Sequence, residues 1–284
     1  MAYEDIKNEI CDVCHKMWQL GWVAANDGNV TVKLEDGTFL ATPTGISKSF
    51  ITPDKLVRID AEGNILEANE GYRPSSEIKM HLRCYKDRDD VGAVLHAHPP
   101  TATGFAVAHV PLDRYDMIET VVSLGSIPIT PYGTPSTYEV PEAIAPYIQE
   151  HDAVLLENHG ALTMADSLIG AYYKMETLEL FAKINLVAYQ LGGPKEISKE
   201  NIDKLIDLRS YYGVTGSDRT VCIHGGEYPV FPDGDYREFS SLYQSRRGAV
   251  WGSLCYWACI VWGDFTHCRR GSVSPQAEIH TMPA

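Results

Sequence analysis

Two short apolar segments, each followed by histidine, constrain the possible fold of this chain more than any other feature of its sequence. The first, VLHAH at residues 94–98, is followed by two prolines, and the second, AVLLENHG at residues 153–160, is a buried-type strand that ends in a polar turn. Side chains alternate between the two faces of a strand, so His96 and His98 point the same way and can share one metal ion. The pattern is also compatible with ordinary polar positions at the end of a strand. The two prolines stop the strand after His98, which places the pair at an edge of the sheet, where sites often lie.

The second segment supplies a third histidine with a similar placement. His159 is predicted at the C-terminal end of its strand, where Gly160 permits close approach of the backbone. Three histidines that leave one position open form the ligand set of catalytic zinc sites, and neutral imidazole also suits other late divalent metals. The alternative is that these are three unrelated members of the ten histidines in the chain. The spacing therefore predicts a metal site without proving that the three side chains converge.

A second group of motifs has the composition of an anion-binding site. In PSSE at residues 74–77, serine hydroxyls and backbone N–H groups lie at the start of a helix that one of the serines is predicted to cap. Two further loops, Gly28-Asn29 and Thr44-Gly45, are of the type in which backbone N–H groups surround phosphate oxygens. The candidate anion-binding residues are Gly28, Asn29, Thr44, Gly45, Ser75 and Ser76.

Glu77, the last residue of PSSE, has two interpretations. A carboxylate in the first turn of a helix compensates the helix dipole, which is a structural role, whereas a carboxylate beside a metal site can transfer protons. His81 lies one helical turn further on and can reach Glu77, although a structural role fits its position equally well.

The charge of the chain restricts its partners. A formal net charge of −14 and a pI of about 5.1 repel phosphate backbones, which argues against nucleic-acid binding. The cations that hold an anionic substrate must therefore be local. The N-terminus lacks the pattern of a signal peptide, and the most apolar stretch, residues 250–265, is shorter than a membrane-spanning helix. We therefore expect a cytoplasmic protein with no membrane partner and with reduced cysteines.

One cysteine pattern matches haem attachment. Residues 11–15 spell C-x-x-C-H, the string that carries c-type haem. The same residues lie in a segment whose apolar side chains recur every three or four positions, as on an amphipathic helix. Because haem attachment requires export and no export signal is visible, we interpret Cys11 and Cys14 as packed thiols.

The predicted elements are helices and short strands, followed by an atypical tail. Near Tyr243 the composition changes, since the last 42 residues contain no Lys, three of the five Trp and three of the seven Cys. We expect a catalytic domain at residues 1–242 and a tail of unknown role at residues 243–284. Helices are predicted at residues 3–20, 76–86, after 100, 167–191 and 198–211, and strands at residues 30–32, 39–41, 56–59, 65–67, 93–96, 127–130 and 154–156.

Five short motifs resemble, in order and spacing, those of the class II aldolase/adducin family. The resemblance extends over about residues 1–235. It implies an α/β fold in which a three-layer α/β/α domain is built around a central, mainly antiparallel sheet. It also implies a homotetramer with sites at the subunit interfaces. The motifs are GNVTV (28–32), TPTG (42–45), PSSE (74–77), HAHPP (96–100) and NHG (158–160).

The resemblance also assigns roles to the candidate residues. His96, His98 and His159 would bind one zinc ion per subunit. Glu77 would be the catalytic acid/base, and without substrate it would itself occupy the open zinc position. The substrate phosphate would bind to the anion-binding residues named above.

The activity that the resemblance implies is cleavage of a sugar phosphate. The substrate would be a ketose 1-phosphate such as L-fuculose 1-phosphate, and the products dihydroxyacetone phosphate and a short aldehyde such as lactaldehyde. In the family, a tyrosine helps to protonate the oxygen of the leaving aldehyde. Tyr115 is the nearest match after a one-residue shift, and Asp116 or Glu119 is the alternative residue facing the site.

Three other activities stay open. Pentulose-phosphate 4-epimerases of the same family carry Asp where this chain has Glu77, so Glu77 favours cleavage. Sugar-phosphate dehydratases are a further variant of the family. A binding module like the adducin head lacks the metal-binding histidines, and the presence of all three here argues against it.

Overall fold

The computed structural model describes residues 3–211 of the chain. Its helices are α1 (Glu4–Gln19), α2 (Ile78–Asp87), α3 (Pro100–Ala108), α4 (Ile118–Ser123), α5 (Glu139–Ile148), α6 (Leu168–Gln190) and α7 (Lys199–Tyr211). Its strands are β1 (Asn29–Lys33), β2 (Phe39–Ala41), β3 (Val57–Ile59), β4 (Ile65–Glu67), β5 (Ala93–Ala97), β6 (Ile129–Thr130), β7 (Ala153–Leu156) and β8 (Gly160–Ala165). Two 3-10 helices, Lys48–Phe50 and Pro53–Lys55, follow β2.

The eight strands of this described part form one sheet in the order β4-β3-β2-β1-β5-β8-β7-β6. Neighbouring strands are antiparallel except β6 and β7, which are parallel. His96 of β5 pairs with Asn29 of β1 on one side and with Leu162 of β8 on the other. The predicted end of the strand before the two prolines is confirmed, because β5 ends at Ala97 and His96 lies near that end of a central strand. At that end, the antiparallel arrangement places the starts of β1 and β8 beside β5.

Helices cover both faces of the sheet. Leu95 of β5 packs into a core with α1, α3 and α6, whereas the adjacent Val94 packs into a second core with α2 and α5. Because neighbouring residues of a strand face opposite ways, His96 lies on the same side as α2 and α5. The expected α/β class, with three layers around a mainly antiparallel sheet, is confirmed.

Three elements of the structure go beyond the sequence prediction. β8 has the sequence GALTMA with a single β-branched residue, so its composition does not favour a strand. α5 contains Pro141 in its first turn and Pro146 in its interior, and proline normally interrupts a helical pattern. α4 spans six residues, too few for a helical period to show.

The predicted serine cap of α2 is wrong. The residue at the cap position is Glu77, and its side chain makes no hydrogen bond to the first turn. The hydroxyl of Ser75 instead accepts a hydrogen bond from the Glu77 N–H at 3.3 Å. The Glu77 carboxylate therefore does not cap α2 and lies near His96 at the end of β5 instead.

The C-x-x-C-H segment packs into the core, as its periodicity predicts. Cys11 and Cys14 face inwards from α1, with exposed fractions of 5% and 0%. Nε2 of His15 lies 3.0 Å from the carbonyl oxygen of Ile51. Burial raises the pKa of the Cys14 thiol to about 12. These are inert, packed thiols.

Two sequence predictions concern location and domain organisation. Among residues 3–211, no helix combines the length and the apolar character needed to cross a membrane. The predicted boundary at residue 242 and the tail at residues 243–284 lie outside the described residues. A cytoplasmic location and a separate tail therefore stay predictions.

Candidate metal centre and substrate cleft

The three predicted histidines converge at the C-terminal end of β5. His96 belongs to β5, His98 follows it directly, and His159 lies in the turn between β7 and β8. One possible ligand atom from each lies within 4.8 Å of the others, and the ring centroids are 4.7 to 5.2 Å apart. The structure thus brings together the three side chains that the spacing alone could not join. Their role as metal ligands stays a prediction.

A tight turn and a glycine hold His159 against β5. Asn158 adopts a left-handed backbone conformation, with φ of 55°, and the N–H of His159 donates to the Leu156 carbonyl at 3.0 Å. Gly160 then begins β8 so close to β5 that a Cβ atom there would lie 2.5 Å from Cδ2 of His98. Any larger residue would displace a histidine of the cluster, so the close packing of the two strands requires glycine.

Burial fixes the protonation state of His96. The side chain is fully buried, and burial lowers the pKa of His96 to about 3, so its imidazole is neutral near pH 7. Its Nδ1 lies 2.9 Å from the carbonyl oxygen of Ala161, and because a carbonyl can only accept, Nδ1 carries the proton. The lone pair of Nε2 is therefore available as a ligand, and this atom lies 3.2 Å from Nε2 of His98.

This arrangement fits a divalent metal ion. Zinc–nitrogen distances of about 2.0–2.1 Å at tetrahedral angles place two nitrogen ligands about 3.3 Å apart. The two Nε2 atoms of His96 and His98 are 3.2 Å apart, which agrees with that separation. Neutral imidazole is the protonation state that metal binding requires. His96, His98 and His159 are therefore the residues that would hold the ion.

Glu77 faces the histidine cluster from the start of α2. Its Oε1 lies 3.2 Å from Nε2 of His159, and its Oε2 lies 3.7 Å from Nε2 of His96. The side-chain amide of Asn29 donates to Oε2 at 2.8 Å. Burial raises the pKa of the Glu77 carboxyl, but its interactions with His159, His96 and Asn29, hydrogen bonds from His159 and Asn29 among them, together outweigh burial and lower the pKa below its ordinary value. The carboxylate is thus ionised near neutral pH.

The anion-binding motifs and Glu77 line one cleft of about 230 Å³. Gly45 is not among the lining residues. The N–H of Thr44 donates to the Arg73 carbonyl at 2.9 Å, and the N–H of Ser75 donates to the Thr42 carbonyl at 3.3 Å. Because these N–H groups are used within the protein, the hydroxyls are the donors that these residues offer an anion. The predicted anion-binding residues that line the cleft are Gly28, Asn29, Thr44, Ser75 and Ser76.

Residues that no motif singles out also border the cleft. Asp27, Pro135 and Ser136 line it, and the hydroxyl of Ser136 donates to the hydroxyl of Ser76 at 2.8 Å. Ser136 has a left-handed backbone conformation, with φ of 68°, which costs free energy in a residue other than glycine. The segment around it, PYGTPSTY, reads as an ordinary loop and carries no signal that links it to the site.

A buried lysine lies behind the cleft. Lys48 is 1% exposed, and its Nζ lies 3.4 Å from the carbonyl oxygens of both Asn26 and Ile46. Lys48 therefore links the loop before β1 to the loop after β2. Burial lowers the pKa of Lys48, and nearby anionic groups, Asp27 and Glu77 among them, oppose that effect. The sequence ISKSF around it is typical of an exposed loop, so its burial could not be predicted.

The predicted tyrosine lies away from the cleft of its own chain. Tyr115 belongs to the segment between α3 and α4, and its carbonyl accepts a hydrogen bond from the N–H of Ile197 at 2.8 Å. Asp116 accepts a hydrogen bond from Asn185 at 3.4 Å, and Glu119 is exposed in the first turn of α4. None of the three candidates lines the cleft. Because the resemblance implies sites between subunits, the role of Tyr115 stays a prediction.

Of the two roles considered for His81, a contact with Glu77 and a structural role, its surroundings favour the structural role. It is fully buried, and its Nδ1 lies 2.8 Å from the hydroxyl of Thr31 in β1. Burial lowers the pKa of His81 to about 4, so the ring is neutral near pH 7. His81 therefore ties α2 to the sheet beneath the site.

Comparison with known proteins assigns the chain to a family. A family model described as Class II Aldolase and Adducin N-terminal domain matches residues 8–186. The chain belongs to this class II aldolase and adducin family, as the five motifs predict. Its similarity to L-fuculose phosphate aldolases identifies this chain as a lyase.

Two curated relatives and one solved structure show the range of this similarity. The L-fuculose phosphate aldolase of Escherichia coli O6:H1 is 31% identical over 215 residues, which cover 75% of this chain and 98% of the relative. The 3-oxo-tetronate 4-phosphate decarboxylase of the same organism is 29% identical over 212 residues, covering 73% of this chain and 96% of the relative. A solved L-fuculose 1-phosphate aldolase has a TM-score of 0.68 at 30% identity and covers 75% of this chain and 98% of its own.

Proposed function

We propose that this chain is a zinc-dependent aldolase that cleaves a ketose 1-phosphate, such as L-fuculose 1-phosphate, to dihydroxyacetone phosphate and a short aldehyde such as lactaldehyde. One observation carries the proposal: the Glu77 carboxylate lies 3.2 Å from Nε2 of His159 and 3.7 Å from Nε2 of His96, inside the cleft that the anion-binding motifs line. The relatives named L-fuculose phosphate aldolase support this choice of substrate.

The reaction needs a stabilised negative charge and a proton-transfer group. Cleavage breaks the bond between the carbon beside the ketose carbonyl and the next carbon, and the electron pair of that bond stays beside the carbonyl. The hydroxyl of the departing carbon becomes the aldehyde oxygen, and its proton would pass to the predicted tyrosine, Tyr115. A divalent ion in this site supplies a Lewis acid for that charge. In the synthetic direction, Glu77 removes the proton from the carbon beside the carbonyl, and in the cleavage direction it returns the proton. The ionised state of Glu77 suits the first of these steps.

The remaining groups orient the substrate. The hydroxyls of Thr44, Ser75 and Ser76 line the cleft and can donate to phosphate oxygens. The amide of Asn29 donates to Glu77 at 2.8 Å and to the Ser75 hydroxyl at 3.4 Å, so it joins the proton-transfer group to the anion-binding loop. Binding of a phosphate there would hold the reacting carbons near Glu77, which supplies rate through orientation.

The proposal is tested with zinc-loaded full-length protein and a panel of ketose 1-phosphates. Release of dihydroxyacetone phosphate is followed through its coupled reduction with NADH. We expect turnover with at least one ketose 1-phosphate, loss of turnover after removal of the metal with a chelator, and recovery on addition of Zn²⁺. Undiminished turnover of the chelated, metal-free protein contradicts the zinc dependence. No release from any member of the panel contradicts the aldolase activity.

A second candidate is decarboxylation of a 3-oxo-tetronate 4-phosphate. The observation that favours it is the relative of that name, 29% identical over 212 residues. Loss of carbon dioxide from such a substrate also leaves an electron pair beside a carbonyl, and protonation of that carbon gives dihydroxyacetone phosphate. The two candidate reactions therefore share the phosphate-bearing half of the substrate and differ in the leaving group.

This shared product determines how the two activities are distinguished. Detection of dihydroxyacetone phosphate responds to both reactions, so the aldehyde and the carbon dioxide are measured separately. We expect an aldehyde from the ketose 1-phosphate at the higher kcat/KM. A higher kcat/KM for release of carbon dioxide would establish the decarboxylase instead. Epimerisation and dehydration release no dihydroxyacetone phosphate, and chromatography of the sugar phosphates detects them in the same panel.

We also propose that the protein is a homotetramer, as the resemblance implies. Three apolar side chains of α6 and that of Leu191, the residue directly after the helix, are exposed in the single chain and recur at intervals of four, three and four residues, which places them on one side of the helix. An apolar face of this kind favours association with another chain. Light scattering after size exclusion should give the mass of four chains of 31.5 kDa, and a monomer mass contradicts the assignment. The four side chains are Leu180, Ile184, Val187 and Leu191.

A further inference from the structure

Asp27 is a cleft residue that the proposed reaction does not use. It lies in the loop between α1 and β1, directly before Gly28. Its Oδ2 is 3.6 Å from Nδ1 of His98, and its side chain is 44% exposed. A distance of 3.6 Å is that of an ion-pair contact, slightly longer than a hydrogen bond. The carboxylate therefore lies beside the ring nitrogen of His98 that does not face the cluster.

The two ring nitrogens of His98 face different partners. Its Nε2 lies 3.2 Å from Nε2 of His96, on the side where a metal ion fits. When Nε2 binds a metal ion through its lone pair, the ring proton is on Nδ1, the nitrogen that faces Asp27. His96 has a comparable partner behind it, since its Nδ1 donates to the Ala161 carbonyl at 2.9 Å. Each of these two histidines thus has an oxygen facing its outer nitrogen: a backbone carbonyl at hydrogen-bond distance for His96 and a carboxylate 3.6 Å away for His98.

The backbone around Asp27 is held in place. The N–H of Asp27 donates to the Ala24 carbonyl at 2.9 Å, which closes a turn. Gly28 has φ of 71° and packs so closely on β5 that a Cβ atom would lie 2.9 Å from the carbonyl oxygen of His96. The buried Lys48 is 3.4 Å from the carbonyl oxygen of Asn26. The fold therefore sets the position of the Asp27 backbone, from which the carboxylate reaches His98.

We propose that Asp27 is a positioning residue for His98: its carboxylate accepts the Nδ1–H, fixes the tautomer and orientation of the ring, and makes Nε2 a stronger metal ligand. This inference rests on the proposed metal site. Carboxylate–histidine–metal arrangements act in this way, and removal of the outer partner typically lowers metal affinity about 10- to 100-fold. Asp27 itself would not touch the metal or the substrate carbons.

The test measures zinc affinity of the full-length protein by competition with a chromophoric chelator. Asp27→Ala should lower the affinity about 10- to 100-fold, and Asp27→Asn should have a smaller effect because the amide oxygen still accepts from Nδ1. Asp89→Asn is the matched control, since Asp89 is exposed and is not among the cleft-lining residues. The control should bind zinc like the wild type. Equal affinities for wild type and Asp27→Ala would overturn the inference.

Two further readouts separate positioning from a general effect on folding. The visible spectrum of Co²⁺-loaded protein reports ligand geometry, and it should change in Asp27→Ala but not in Asp89→Asn. The thermal unfolding midpoint of metal-free Asp27→Ala should match that of metal-free wild type. A clear drop in this midpoint would make Asp27 a structural residue and would overturn the proposal. If the wild type itself takes up no zinc, it is the proposed metal site that fails.

Discussion

Replacing Glu77 with Gln should separate proton transfer from binding. Gln keeps the size of the side chain and an oxygen that can accept the 2.8 Å hydrogen bond from Asn29, but it cannot exchange a proton. Because the Glu77 side chain makes no hydrogen bond to the first turn of α2, a purely structural role would be worth only its interaction with the helix dipole, about 0.3–1 kcal/mol. Loss of a general acid/base lowers the rate about 10²- to 10⁴-fold, or about 2.7–5.5 kcal/mol in the barrier.

The assay measures kcat at saturating zinc and substrate. Saturating zinc is required because the carboxylate lies 3.2 and 3.7 Å from two imidazole nitrogens of the cluster, so its loss also affects metal binding. We expect a fall in kcat of at least about a hundredfold with KM nearly unchanged. Glu142→Gln, on the exposed side of α5, removes the same charge elsewhere and should leave kcat unaltered. A Glu77→Gln variant that keeps more than about a tenth of the wild-type kcat refutes proton transfer by Glu77.

Three further predictions concern the metal, the core and the tail. His98→Ala should lose both stoichiometric zinc and turnover, and full zinc occupancy in this variant would exclude His98 as a ligand. Asp152 pairs with Arg88 at 2.5 Å and Lys174 at 2.7 Å, so Asp152→Asn should lower the free energy of unfolding by about 1.5–3 kcal/mol at pH 7. Burial raises the pKa of the Asp152 carboxyl, but the charges of Lys174 and Arg88 outweigh burial and lower the pKa. The difference in free energy of unfolding between wild type and variant, measured by urea unfolding, should therefore shrink as the pH falls below about 4. Truncation after Leu242 should leave zinc binding intact, and loss of soluble, zinc-loaded protein would show that the tail belongs to the catalytic fold.

The sequence predicts the chemistry where a motif coincides with the end of a strand. His96 and His98 share a face because they are two residues apart, and His159 follows a run of four apolar residues by three positions. The structure places the three together, as those local patterns favour. The order of the strands is not a local property, however. The site forms because β5 has β1 and β8 as antiparallel neighbours, and that pairing depends on packing between distant segments.

The positions near the site of residues outside the motifs could not be predicted from the sequence. Asp27 lies in NDGN, which has the composition of a turn and gives no reason to place a carboxylate behind a histidine. Lys48 is a lysine in a polar loop, a residue type that is seldom fully buried, yet its exposed fraction is 1%. Ser136 comes from a segment more than 50 residues away from Ser76, with which it bonds. In each case the decisive fact is a neighbour from another part of the chain.

Strand register, more than any single contact, keeps the metal site and the acid/base group together. His96 pairs with Asn29 across β1 and β5, and Asn29 in turn holds Glu77. A slip of one residue in this pairing would turn His96 towards the opposite helix layer and away from Glu77. Two glycines oppose such a slip because they allow backbone contact that no other residue permits: a Cβ atom at Gly28 would lie 2.9 Å from one β5 carbonyl oxygen, and at Gly160 2.6 Å from the next. The glycines of GNVTV and NHG therefore set the strand spacing at which the ligands and the carboxylate meet, so these motifs are requirements of the sheet as well as of the chemistry.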